Sequence, residues 1–227
     1  MSHLIDIFLQ PGKVFADLKD RPTFVLPFLA IVVPTVAFVM MYFANVDSEW
    51  YKDYMLGAGG AEMTAKELEQ ARKMMPGANM MMWISAGTAV IGGAFMTALY
   101  ALYFLIAGKL SGQPVGFRHG LSLATWSNMP TILASVVGLI GVFTMTPQTP
   151  IESVSLLNVD PLFFELPRDH AWSSVAKSFS LLTFWTVLLA ALGWKTWGRT
   201  GWGQAVLVAA LPPLTIYGAM AIFALLK

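Results

Sequence analysis

Five long runs of apolar residues restrict what this chain can fold into more than any other feature. They cover about 23–44, 79–107, 121–145, 175–197 and 204–226. Each has roughly 20 or more residues, enough to cross a hydrocarbon core of ~30 Å as a helix rising 1.5 Å per residue. No Asp, Glu, Lys or Arg lies deep inside any run; Lys177 and Lys195 sit near ends, where a lysine stem lets its charge reach water. Backbone groups in lipid must be satisfied internally, so the runs predict helices. The expected fold class is therefore all-α: a polytopic membrane protein with a domain of five transmembrane helices over 23–227. Residues 1–22 form a short amphipathic lead-in.

Composition supports that class. Only 12% of the 227 residues are charged, about half the usual soluble value of roughly 25%, and the mean hydropathy is +0.63. With no cysteine, disulfides and thiolate chemistry are excluded. A net charge of +1 argues against nucleic acid as a partner. The first 22 residues mix acids with bases and lack an apolar core, so no cleavable signal peptide is expected.

Five crossings put the termini on opposite sides. Basic residues divide seven to each side, so the short loops decide the orientation. Segments 108–120 and 198–203, with the flanking Lys195, hold bases and no acids; the long loops 45–78 and 146–174 hold all ten acids outside the N-terminal segment. The N-terminus is expected in the cytoplasm and the C-terminus outside.

Local patterns add detail. Leu4, Ile5, Phe8 and Leu9, then Val14, Phe15 and Leu18, recur at helical spacing on either side of Pro11-Gly12. Such a helix pair lies in the headgroup plane or offers a docking surface. Thr64 to Glu67 has the spacing of a capping box and predicts a short external helix. In VDPLFFELP, 159–167, Phe163 and Phe164 suit either a loop resting on the membrane or a protein-binding patch. Gly87, Gly93, Ala94, Thr97, Ala98 and Ala101 give the second run a small-residue stripe for close helix packing. Tyr42, Trp83, Trp126, Trp194, Trp197 and Trp202 fall near run ends, where such rings favour the interface.

The third run is interrupted. Within LSLATWSNMPT, 121–131, Ser127 and Asn128 need hydrogen-bond partners, and Pro130 removes a donor and displaces the carbonyl of Trp126 four residues earlier. Ser127 and Asn128 are expected to face the bundle and bond to freed carbonyls or to a neighbouring helix. Pro27, Pro34 and Pro212-Pro213 read mostly as kinks. Motifs for zinc hydrolysis, phosphate binding and serine hydrolysis are missing, and His3, His119 and His170 are isolated outside the runs. The residues point away from an enzyme and call for no metal or cofactor.

GKLSGQPVGFRHGLSLATWSNMPTIL, 108–133, resembles the Yip (Ypt-interacting protein) family. Phe117-Arg118 after a glycine turn, and the aromatic-Ser-x-x-Pro pattern of Trp126, Ser127 and Pro130, carry the likeness, as does the opening IFLQPGKVFADLKDRP. The resemblance implies a multi-pass protein of the bacterial inner membrane with no catalytic residues. Eukaryotic relatives are linked to Rab-type GTPases through longer N-terminal regions than these 22 residues, whereas some bacterial relatives accompany ABC exporters of the macrolide-exporter type. The expected function is a non-enzymatic accessory subunit partnering such a permease or its periplasmic adaptor. A transporter or channel for a small or lipid-like solute, and a membrane-shaping or trafficking factor, stay open as alternatives, as does homo-oligomerisation. The candidate packing or partner-binding residues are Phe117, Arg118, Trp126, Ser127, Asn128, Pro130, Phe163 and Phe164.

Overall fold

The computed structural model describes residues 2–57, 64–167 and 169–226. The chain opens with two short helices, α1 (Ser2–Leu9) and α2 (Pro11–Asp20), the second begun by Pro11 at a first-turn position that needs no N–H. α3 (Val25–Asn45) follows, then the external pair α4 (Ser48–Gly57) and α5 (Ala65–Met74). α6 (Ala78–Leu110) leads through a turn with Gly112 at φ +67° to α7 (Phe117–Ser127) and α8 (Thr131–Thr144). A 3-10 turn at 151–154 and the short helices α9 (Val159–Leu162) and α10 (Ser173–Ser178) precede α11 (Leu182–Gly198) and α12 (Trp202–Leu225). The described residues contain no strand beyond an isolated bridge between Asn158 and Ser180.

α3, α6 and α12 are each long and apolar enough to cross a membrane, and α7 with α8, bent by 40°, makes a fourth if the pair counts as one span. The expected span at 175–197 is not one helix. It divides at Phe179–Leu181 into α10 and a 17-residue α11, because Ser180 and Leu181 turn aside to bond the carbonyl of Leu157. By length and hydropathy three helices, or four with the bent pair, qualify as spans, against the five expected; the 17-residue α11 falls just short. Pro27 lies in the first turn of α3, and α3 and α12 continue as helices through Pro34, Pro212 and Pro213. Of the prolines inside the runs, Pro130 alone separates two helices.

The protein's outside is its apolar side. Ile91, Phe95, Phe184, Leu207 and Phe223 are all exposed, as lipid-facing residues are. Inside are two clusters. One, at the end bearing α1 and α2, gathers Ile7, Phe15, Phe104, Leu123, Trp126, Leu189 and Trp194; the other, at the opposite end, gathers Tyr42, Phe43, Tyr51, Val142 and Val154.

Two sequence expectations are corrected here. The apolar face of the N-terminal pair is divided: Ile5 and Leu9 stay exposed, while Leu4 and Phe8 pack against the larger core. Ile7, Val14, Phe15 and Leu18 are fully buried and pack into the bundle against α11 and α7. The aromatic residues also divide. Trp83 and Trp202 are exposed, but Tyr42, Trp126, Trp194 and Trp197 are buried among the helices.

Glycines mark the closest approaches. A Cβ on Gly120 would stand 2.5 Å from the Ala101 carbonyl oxygen of α6, and one on Gly193 would stand 2.5 Å from Leu123 Cδ1. Of the predicted stripe, Ala101 is buried at this contact and Gly93 faces Val32 of α3, whereas Gly87 looks onto open space and Ala94 is exposed.

Candidate functional site

The helix break at 127–130 sits where α7 enters the larger core. α7 is buried from Ser122 to Ser127, and apart from Ser122 Oγ, which has no partner among the described residues, its side-chain polar groups there bond within the protein. Ser127 Oγ donates to the Leu123 carbonyl (2.6 Å), Asn128 Nδ2 to the Ala124 carbonyl (2.8 Å), and Thr131 Oγ1 to the Asn128 carbonyl (2.7 Å). The Trp126 carbonyl that Pro130 cannot serve receives the Met129 N–H at 3.4 Å. Ser127 and Asn128 do face the bundle, but among the described residues their side chains donate within their own helix and not to a neighbouring one. Four residues back along a helix is the acceptor a short side chain reaches most easily.

The bridges come from the rings instead. Trp126 Nε1 donates to the Thr23 carbonyl at 2.8 Å, Trp197 Nε1 to the Phe15 carbonyl at 2.6 Å, and His119 Nε2 lies 3.0 Å from the Lys19 carbonyl. Residues 15–23 thus present three carbonyls, four residues apart, to three side chains of the bundle. Lys19 belongs to the last turn of α2, whose carbonyls lack helical donors. His3 closes the arrangement, with Nε2 3.2 Å from Asp17 and its ring edge-on to Trp126. His119 stands edge-on to Trp197 in the same way. These contacts were not foreseen; Trp126, Trp197 and His119 lie about 100 to 180 residues from their acceptors.

A further bridge joins α6 to α12. Pro212 offers no N–H to the Val208 carbonyl, and Tyr103 OH donates to it instead, at 2.7 Å. Thr35 of α3 and Ser135 of α8 share a hydrogen bond of 2.9 Å.

The other candidate residues stand apart. Phe117 and Arg118 are exposed at the start of α7, about 15 Å along the helix from the break. Phe163 and Phe164 are exposed on the loop after α9. That loop is pinned: buried Asp160 accepts the Leu166 N–H at 3.0 Å, and Asn158 Nδ2 donates to the Lys177 carbonyl at 2.8 Å. Phe164, Leu166, Trp172, Val175 and Phe179 enclose an apolar hollow of about 340 Å³.

On the external pair the predicted capping box is present. Glu67 N donates to Thr64 Oγ1, and Thr64 N donates back to Glu67 Oε2 at 2.8 Å. The Thr64 hydroxyl and N–H bonds hold the Glu67 carboxyl below its ordinary value. Arg72 ties α5 to α4 through Glu49 and Asp53 at 3.2 and 3.1 Å. Among the described residues, no three or more His, Asp or Glu side chains converge as a metal site would require.

Comparison with known proteins gives the architecture a family. A Bacillus subtilis protein described as membrane protein YknW is 23% identical over 226 residues, spanning 98% of this chain and 88% of its own length. No solved structure matches. The Yip1 domain matches residues 5–224, almost the whole length, including the helix break and the N-terminal pair that packs beneath it. The chain belongs to the Yip1 domain family.

Proposed function

We propose that this chain is a non-enzymatic accessory subunit of a bacterial inner membrane that partners an ABC exporter of the macrolide-exporter type through its periplasmic adaptor. In this reading α7–α8 and α11 both cross, giving five passes with the N-terminus in the cytoplasm. The observation that carries it is the pinned aromatic loop. Phe163 and Phe164 stand exposed on a segment held by Asp160 and Asn158, beside an apolar hollow. A rigid apolar rim of this kind suits protein docking, since little ordering remains to be done on binding. At the opposite end most of the apolar face of α1 and α2 is taken up by the bundle, which leaves Ile5 and Leu9 exposed.

Purification of the tagged protein in mild detergent from its native host tests the reading. An ABC permease or adaptor should copurify, and Phe163→Ser with Phe164→Ser should abolish its recovery while leaving the melting temperature unchanged. Repeated isolation without a membrane partner would count decisively against it.

A second reading, transport of a small or lipid-like solute, draws support from the cavities beside Asn128. Reconstituted liposomes test it, and absence of flux for candidate solutes leaves the accessory role standing. Membrane shaping by the N-terminal pair would have only Ile5 and Leu9 exposed to insert, because Ile7, Val14, Phe15 and Leu18 are inside the core.

A further inference from the structure

Two cavities meet at the helix break. One, about 340 Å³, lies between α6, α7, α8, α11 and α12; the other, about 220 Å³, lies between α3, α6 and α7. Met96, Tyr100, Asn128 and Thr131 line both. Among the described lining residues there is no acid, base or histidine.

Four polar groups at these walls have no hydrogen-bond partner among the described residues, Thr97 Oγ1 among them. Asn128 spends its amide N–H on Ala124 and leaves Oδ1 free, while the Tyr100 hydroxyl and Thr183 Oγ1 make no bond. On α12, Pro213 has no N–H for the carbonyl of Ala209, and both residues line the larger cavity. Unmet polar groups in a low-dielectric interior are costly, and so is unfilled apolar space. An occupant that brings both a hydroxyl and a hydrocarbon chain relieves both costs. A phosphate headgroup does not, because its charge would be desolvated with no cation to meet it. Met96 and Ile216, each more than two-fifths exposed, carry the cavity wall out to the apolar surface, so the entry route is from the bilayer.

We infer that the cavities at Asn128 form a binding site for an uncharged, hydroxyl-bearing amphiphile of the membrane, of the monoacylglycerol class. The hydroxyl head meets Asn128 Oδ1, Tyr100 OH and Thr183 Oγ1, and the chain runs along Met96 and Ile216 towards lipid. The inference is independent of the adaptor reading; a protein that copurifies with no partner still has this site.

The probe is a diazirine-bearing monoacylglycerol, added to the full chain in nanodiscs, with crosslinks mapped by mass spectrometry. Label is expected on peptides containing 96–100, 127–131 and 183–187. Excess unlabelled monoacylglycerol should displace it and phosphatidylglycerol should not. Tyr100→Phe with Thr183→Val, which removes two hydroxyls that hold nothing in the fold, should lower labelling about fivefold, the scale of one or two lost hydrogen bonds. A control, Phe95→Leu on the lipid-facing surface, should leave labelling as it is. Label spread over all lipid-facing helices, equal competition by phosphatidylglycerol, or undiminished labelling of the hydroxyl-deleted variant would each overturn the inference. An unchanged melting temperature for that variant guards against loss by misfolding.

Discussion

Gly120→Ala adds one methyl group where α7 meets the backbone of α6 most closely, and its cost follows from the geometry. The new Cβ would stand 2.5 Å from the oxygen, 2.9 Å from the Cα and 3.0 Å from the carbonyl carbon of Ala101. Carbon contacts settle at about 3.5 Å, so α6 and α7 must part by about 1 Å. All three obstructing atoms belong to backbone, and no side chain can turn away to absorb the shift. Overpacking costs about 1–3 kcal/mol, and this site belongs at the upper end. Alanine's better helix propensity returns roughly 1 kcal/mol. The net loss is about 1–2 kcal/mol, a fall in melting temperature of about 2 to 8 °C for a chain of this length.

Tryptophan fluorescence during heating in one detergent is the assay, with buried Trp126, Trp194 and Trp197 as reporters. Two companion variants calibrate it. Gly193→Ala meets side-chain atoms, Leu123 Cδ1 and the Phe15 ring, with no backbone atom among its nearest neighbours, so it should lose less. Gly87→Ala enters open space and should gain about 2–4 °C from propensity alone. If Gly120→Ala melts at or above the parent while Gly87→Ala gains as expected, the close-approach argument is refuted.

Trp126→Phe keeps an aromatic ring but gives up the bond to Thr23, and should destabilise by about 2 kcal/mol in denaturant titration; no change would mean the indole bond contributes nothing. Tyr103→Phe should cost about 1 kcal/mol in the parent and clearly less in a Pro212→Ala background, where the substituted residue brings its own N–H for the Val208 carbonyl. Equal losses in both backgrounds would disprove the compensation. For the external pair, the folded Glu67 value is lowered by its Thr64 bonds, so the cap's contribution is present above the ordinary glutamate value and lost as pH falls through the lowered one. Amide-exchange protection at 65–68 should therefore drop on acidification, and Thr64→Ala should lower it at neutral pH and flatten that pH dependence.

What the sequence determined by itself is what acts over a few residues. The membrane class, the helices, the break at Pro130 and the Thr64–Glu67 cap all follow from composition, periodicity and local bonding. That Ser127 and Asn128 face inward was legible too, since polar groups in an apolar run must find partners.

What only the tertiary structure decided is which apolar surface meets protein and which meets lipid. In a membrane the two surroundings are equally apolar, so hydropathy cannot separate them. Phe104 and Phe95 lie in the same apolar run, yet one is buried and the other exposed. For the same reason Trp126 and Trp197 read as interface rings and proved to be inner ties to Thr23 and Phe15. The division of 175–197 depended on Leu157, more than twenty residues upstream, accepting bonds from Ser180 and Leu181. The cavities at Asn128 exist only because α3, α6, α11 and α12 leave space around the broken pair α7 and α8. Such spaces are set by packing across the whole chain, which no local pattern encodes.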